Sequence, residues 1–97
     1  MSQVVQIFFI YAEDCEHCKE TLAVIESSVN KCKNIPCKIL KYHYDTKPAL
    51  SIALNKGIDV LPSFVIGEEV FKGEDYSEKR IIEAIRKNFN WTRLLLF

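Results

Sequence analysis

Residues 4–18, Val4-Val5-Gln6-Ile7-Phe8-Phe9-Ile10-Tyr11-Ala12-Glu13-Asp14-Cys15-Glu16-His17-Cys18, decide how this chain folds. The apolar run at its start reads as a buried strand. Two cysteines three apart follow it and open an amphipathic stretch. Such a pair is either a redox couple or half of a metal site, and position separates the two readings. The first cysteine falls at a helix N-terminus, where unpaired backbone N–H groups and the helix dipole favour a thiolate. The second lies one turn along the same face, within reach of a disulfide. A strand-then-helix setting points to thiol–disulfide chemistry.

Outward from this stretch the pattern continues. Cys18, Leu22, Ile25, Val29 and Cys32 share one face of a helix over about 16–31. Lys33-Asn34-Ile35-Pro36 breaks it, and a second strand runs over about 37–44. Thr46 and Pro48 start a short helix that Gly57 ends, with Leu50, Ala53 and Leu54 as its apolar stripe. Phe64-Val65-Ile66 is a third strand, Gly67-Glu68-Glu69 a turn, and Val70-Phe71-Lys72 a fourth strand. Asp75 or Ser77 caps a last helix whose buried face is Ile81, Ile82, Ile85 and Phe89. The order is β-α-β-α-β-β-α. Right-handed crossover makes the first βαβ parallel and the hairpin makes the last pair antiparallel. The expected fold is α/β: a four-stranded mixed sheet with helices on both faces, residues 1–97 forming a single domain.

Composition narrows the function classes. A hydrophobic content of 48% in 97 residues supports a core without disulfide staples. Thirteen basic residues balance thirteen acidic ones, so nothing favours nucleic acid or a membrane surface as partner. The apolar run 4–12 is too short to span a bilayer. Met1-Ser2-Gln3 leads into the first strand without a basic stretch or a cleavage site, which gives a cytoplasmic expectation. In that compartment unspecialised disulfides are rare, so four cysteines point to catalysis or metal. The spacing C-x2-C-x13-C-x4-C has the form of a zinc site. Geometry opposes a shared ion: a helix over 18–32 holds its ends about 21 Å apart at 1.5 Å per residue. Cys32 and Cys37 then read as free buried thiols, with a second disulfide across the helix-to-strand turn as the alternative. An ion held by Cys15, Cys18 and His17 is disfavoured too, because consecutive helical positions do not face one point. His43 reads as a structural or solvated residue. The apolar tail Trp91-Thr92-Arg93-Leu94-Leu95-Leu96-Phe97 reads as the packed end of the last helix.

Tyr11-Ala12-Glu13-Asp14-Cys15-Glu16-His17-Cys18-Lys19 resembles the aromatic-Ala-Glu-x-Cys-x-x-Cys-Lys stretch of the thioredoxin superfamily. Tyr44-Asp45, Pro48, Ala53, Lys56-Gly57-Ile58 and Leu61-Pro62-Ser63-Phe64 resemble its second helix and cis-proline loop. The resemblance covers roughly residues 4–88. The length is closer to glutaredoxins, and Gly73-Glu74-Asp75 is loosely similar to their Gly-Gly-x-Asp turn. The resemblance implies a protein dithiol–disulfide oxidoreductase with no cofactor beyond a redox-active Cys15–Cys18 disulfide. Cys15 is the expected attacking thiolate and Cys18 the resolving thiol. Glu16, His17 and Lys41 are expected to tune the pair, and Tyr11, Leu61 and a cis Pro62 to contact substrate. A protonated His17 favours the thiolate; Glu13, Asp14 and Glu16 oppose it. The superfamily's buried acid in the first strand is here Phe9, which leaves Lys41 or water to handle the Cys18 proton. Expected partners are protein disulfide clients and an electron donor, either a reductase or glutathione, acting on a monomer. Glutathione reduction is the rival within the class, and a non-catalytic binding module the rival outside it.

Overall fold

A computed structural model describes the backbone of residues 4–95 and the side chains of residues 4–89. Strand β1 (Val5–Tyr11) leads into helix α1 (Glu16–Lys31), strand β2 (Cys37–His43) and helix α2 (Lys47–Lys56). Strands β3 (Ser63–Ile66) and β4 (Glu69–Lys72) form a hairpin before helix α3 (Glu78–Leu95). The sheet order is β2-β1-β3-β4. β1 and β2 are parallel from Val5↔Cys37 to Tyr11↔His43, while β1–β3 and β3–β4 are antiparallel. This is the expected α/β fold, with element bounds within one residue of the expectation. Among the described residues no helix is long and apolar enough to cross a membrane.

Alternation along the strands assigns the two faces. Val5, Ile7 and Phe9 of β1 join Phe64 and Ile66 of β3 and Phe71 of β4 in one core under α1 and α3. α1 contributes Cys18, Ile25 and Cys32, and α3 contributes Ile81, Ala84 and Ile85. Ile10 and Val65 point to the other face, where Ala49 of α2 is also buried.

Three packing expectations are corrected. On α1 the fully buried positions are Cys18, Thr21, Ile25 and Ser28, while Leu22 and Val29 are half-buried at the stripe's edge. Both hydroxyls are satisfied: Thr21 Oγ1 pairs with Tyr76 Oη at 3.0 Å, and Ser28 Oγ donates to the Val24 carbonyl at 2.8 Å. On α2 the stripe Leu50, Ala53, Leu54 is not the buried one. Leu50 is 53% and Leu54 85% exposed, and Ala49 alone is buried. On α3, Ala84 replaces Ile82 and Phe89 at the centre of the buried face, and those two pack at its margin.

Local chemistry fixes the helix ends. Thr46 caps α2 by accepting the Ala49 N–H, Pro48 lies in its first turn, and Gly57 closes it in the left-handed region at φ 67°. Ser77, not Asp75, caps α3, with the Arg80 N–H donating to its Oγ at 3.2 Å. The side chains of the apolar tail after Phe89 lie outside the described residues.

Candidate functional site

α1 begins on Cys15. Its backbone is extended (φ −112°, ψ 101°), and its Sγ accepts the N–H of Cys18 at 3.0 Å. A sulfur thus occupies the place where a Ser or Asp side chain usually caps a helix. Asp14 precedes it at φ 54°, the one described residue other than glycine in the left-handed region. That backbone turns the chain from the end of β1 into α1. Cys15 and Cys18 are joined as a disulfide with Cα atoms 5.2 Å apart. Cys15 is half-buried, whereas Cys18 is only 3% exposed and belongs to the core. Cys15 is the more accessible of the two.

A cavity of about 410 Å³ opens beside the pair. Phe9, Tyr11, Cys18, Leu22 and Lys41 line it, with Glu13, Asp14, Cys15 and Lys19. Lys41 stands opposite Phe9 in the β1–β2 register, which brings it to the sulfurs. Phe9 is 2% exposed and stacks on Tyr11 with ring centres 6.0 Å apart. The inner wall next to Cys18 is therefore aromatic and carries no carboxylate. Two cations, Lys19 and Lys41, and two carboxylates, Glu13 and Asp14, line the same cavity, so its formal charge is near zero.

The remaining site candidates separate into those placed at this cavity and those placed elsewhere. Glu16 is 88% exposed at its side chain and lies 3.8 Å from Lys19. His17 is half-buried. Its ring stacks on Tyr76 at 6.2 Å, its Nδ1 lies 3.5 Å from Glu20, and its Nε2 is buried with no hydrogen-bond partner. Leu61–Pro62 is a cis peptide, as expected. Neither residue lines the cavity. The antiparallel pair Ile10↔Ser63 puts Pro62 level with Tyr11, at the same end of the sheet. The Pro62 carbonyl accepts the Gly73 N–H at 2.8 Å.

One group at this end, Tyr76, escapes sequence reasoning. Tyr76, in the loop after β4, contacts His17, bonds Thr21 and packs its ring edge on Phe64 at 5.9 Å. No local pattern marks it, because its partner Thr21 is 55 residues away. His43, read from the sequence as structural or solvated, is held by Asp45 at 2.5 Å and meets the edge of Tyr11 at 5.6 Å, so it braces the cavity wall. Cys32 and Cys37 are free thiols at the far end of α1. A second cavity, about 270 Å³ between Ile66, Glu68, Glu69 and Ala84, Lys87, Asn88, lies away from all four cysteines.

The fold recurs among solved structures. A chloroplastic thioredoxin z is 23% identical, with a TM-score of 0.63 over 88% of this chain and 78% of that one. Thioredoxin-2 of the malaria parasite is 20% identical, with a TM-score of 0.60 over 90% and 85%. A glutaredoxin from Archaeoglobus fulgidus is 21% identical, with a TM-score of 0.52 over 84% and 87%. Among curated proteins none matches significantly. The thioredoxin family model matches residues 2–90. A thioredoxin fold with a cysteine pair at disulfide distance on a helix N-terminus supports thiol–disulfide redox chemistry, and the chain belongs to the thioredoxin family.

Proposed function

We propose that the chain is a dithiol–disulfide oxidoreductase for protein disulfides, with Cys15 attacking and Cys18 resolving. The observation that carries this reading is the Cys18 N–H bond to Cys15 Sγ at the start of α1, with the first sulfur accessible and the second buried. The same N–H and the helix dipole favour a thiolate there. That thiolate attacks one client sulfur; the client S–S bond breaks and a client thiolate leaves. Cys18, deprotonated, then attacks the Cys15 sulfur of the mixed disulfide. The second client thiol is released and Cys15–Cys18 is oxidised. No cofactor takes part.

Lys41 is proposed to favour thiolates in the cavity, and Glu16 and His17 to tune the pair. Tyr11 and Leu61 would contact the client, with the Leu61 backbone as a pairing edge and Pro62 lacking a competing N–H. The compartment is proposed to be the cytoplasm, where a reductase would return the electrons to a monomeric protein. Glutathione as donor is a second reading. Lys19 and Lys41 beside the disulfide suit the tripeptide's carboxylates and offset the repulsion from Glu13 and Asp14.

The test is trapping. Cys18→Ser, reduced and mixed with a disulfide-containing protein such as insulin, accumulates a mixed disulfide at Cys15. Cys15→Ser accumulates none. The reverse pattern would exchange the two roles.

A further inference from the structure

The cysteines at the far end of α1 take no part in the reaction above. Cys32 is the C-cap of α1 and is buried, and Cys37 opens the edge strand β2 and is half-buried. The chain between them doubles back. The Ile35 N–H donates to the Cys32 carbonyl at 3.1 Å, and the Cys37 thiol donates to the Ile35 carbonyl at 3.5 Å. The Val5 N–H holds the Pro36 carbonyl at 2.9 Å, which lays this loop against β1. Both sulfurs end in one apolar cluster: Cys32 is a member, and Cys37 packs on it beside Ile35 and Ile39.

We propose that Cys32 and Cys37 are a second dithiol–disulfide couple, closed by oxidants across the helix-to-strand loop and independent of Cys15–Cys18. Cys32 is placed to adjust. It lies outside the helical ladder at φ −96°, ψ 62°, and outside the β1–β2 pairing. The thiols are near enough to sense each other. Burial raises the Cys37 pKa above its ordinary value of 9.0, and the negative charge of a Cys32 thiolate raises it further. Cys37 therefore reacts slowly near neutral pH with any oxidant that its thiolate must attack, so closing the couple calls for an added one.

A hydroperoxide supplies one. The Cys37 thiolate attacks a peroxide oxygen and the O–O bond breaks. Cys37 becomes a sulfenic acid, and the departing hydroxide takes a proton to leave as water. The Cys32 thiolate then attacks that sulfur, the S–O bond breaks, and a second water leaves. Two thiols lose two electrons and two protons, and one peroxide becomes two waters.

Tryptic mapping of the full chain reads this directly. Cleavage after Lys19, Lys31, Lys33 and Lys38 leaves Cys15 and Cys18 together in residues 1–19, Cys32 in Cys32–Lys33, and Cys37 in residues 34–38. The reduced protein is treated with hydrogen peroxide, blocked with N-ethylmaleimide in acid, and digested. The expected product is Cys32–Lys33 joined to 34–38, two hydrogens lighter than the separate peptides. Its rate should rise about tenfold per pH unit between pH 7 and 8, tracking thiolate. Three results would overturn the proposal. Cys37 could reach the sulfinic state with Cys32 still alkylated. Both thiols could remain alkylated after Cys15–Cys18 has closed. Either cysteine could be linked instead to residues 1–19.

Discussion

At its N-terminal end α1 starts on Cys15, whose sulfur accepts the Cys18 N–H; at its C-terminal end it stops on Cys32, with Cys37 close by. Each end holds two cysteines a few residues apart, yet the settings are opposite. The first pair faces unpaired N–H groups and the positive end of the dipole, with one sulfur reachable. The second faces carbonyls and the negative end, and its more accessible member is desolvated. Each helix end contributes about 0.3–1 kcal/mol to a nearby charge. The swing between the ends is therefore about 0.6–2 kcal/mol, roughly three- to thirtyfold in thiolate, before burial adds to it. Spacing alone does not decide what a cysteine pair does. The end of the helix and the depth of the sulfur do.

The largest effect should come from chemistry that reads thiolate directly. In the reduced protein at pH 7, iodoacetamide should alkylate Cys15 about 100-fold faster than Cys37, with Cys18 and Cys32 slower still. Timed quenching and peptide mass measurement would give the four rates. Cys15 and Cys37 rates within a factor of ten of each other would break the contrast.

The two ends also differ in what holds them. Near the first pair, Thr21 leans on Tyr76 across 55 residues of sequence, while toward the second, Ser28 bonds a carbonyl of its own helix. Tyr76→Phe leaves the buried Thr21 hydroxyl without its partner and should destabilise the protein by about 1–2 kcal/mol. Ser28→Ala should cost about 0.5 kcal/mol or less, because alanine's helix propensity offsets the lost bond. Urea unfolding of both variants would test this. Equal losses would mean that the tertiary hydrogen bond does not anchor the active end.

Acid should loosen the C-terminal end selectively. Lys31, in the last turn of α1, pairs with Glu78 of α3, which Ser27 also reaches at 3.1 Å. Lys31 first, and then Ser27, hold the Glu78 carboxyl below its ordinary value of 4.5. A pKa lowered by folding stabilises the protein above the unfolded value, and that contribution fades as pH falls through the folded one. Wild type and Lys31→Ala should thus differ slightly in melting temperature at pH 7 and converge below the ordinary carboxylate range. The gap is small because the pair is exposed. A gap that persists in acid would assign it to the lysine stem's packing on α3.

The course of α1, residues 16–31, was legible in the sequence because an apolar strand before the cysteine pair, a helical period and a Pro-containing break agree. Its buried stripe was only half legible. A search for apolar residues passes over Thr21 and Ser28, whose hydroxyls are buried because each has a partner. α2 misled for the converse reason. Leu50 and Leu54 have helical spacing, but the short helix seats on the sheet through Ala49. At the site, strand-then-helix order places Cys15 and Cys18, and the resemblance supplies Tyr11 and Lys41, which line the same cavity. Tyr76 could not be placed, since a loop after β4 meets α1 only once the sheet has formed. The sequence names Glu13, Asp14 and Glu16 beside Cys15 and, through the resemblance, Lys41; that Lys19 and Lys41 share one cavity with Glu13 and Asp14, and so balance them, is added by the fold.

That balance gives the smallest effect. Counting only near neighbours in the sequence, the acidic residues before Cys15 should repel glutathione, which carries net negative charge at neutral pH. The cavity holds Lys19 and Lys41 as well, so the two influences should nearly cancel. At about 8 Å in water-like surroundings each exposed charge is worth about 0.5 kcal/mol, less in salt. Replacing Glu13 by Gln and Asp14 by Asn should speed reaction of the dithiol with oxidised glutathione about two- to threefold at low ionic strength. Replacing Lys19 and Lys41 by Gln should slow it by a similar factor. The four changes together should return the rate to near that of the native chain, and all three differences should shrink as salt is added. Stopped-flow rates at two ionic strengths would settle the matter. A quadruple variant as fast as the carboxylate variant would show that the lysines do not act on the incoming tripeptide, and the proposal of a protein reductant would then stand on the acidic residues alone.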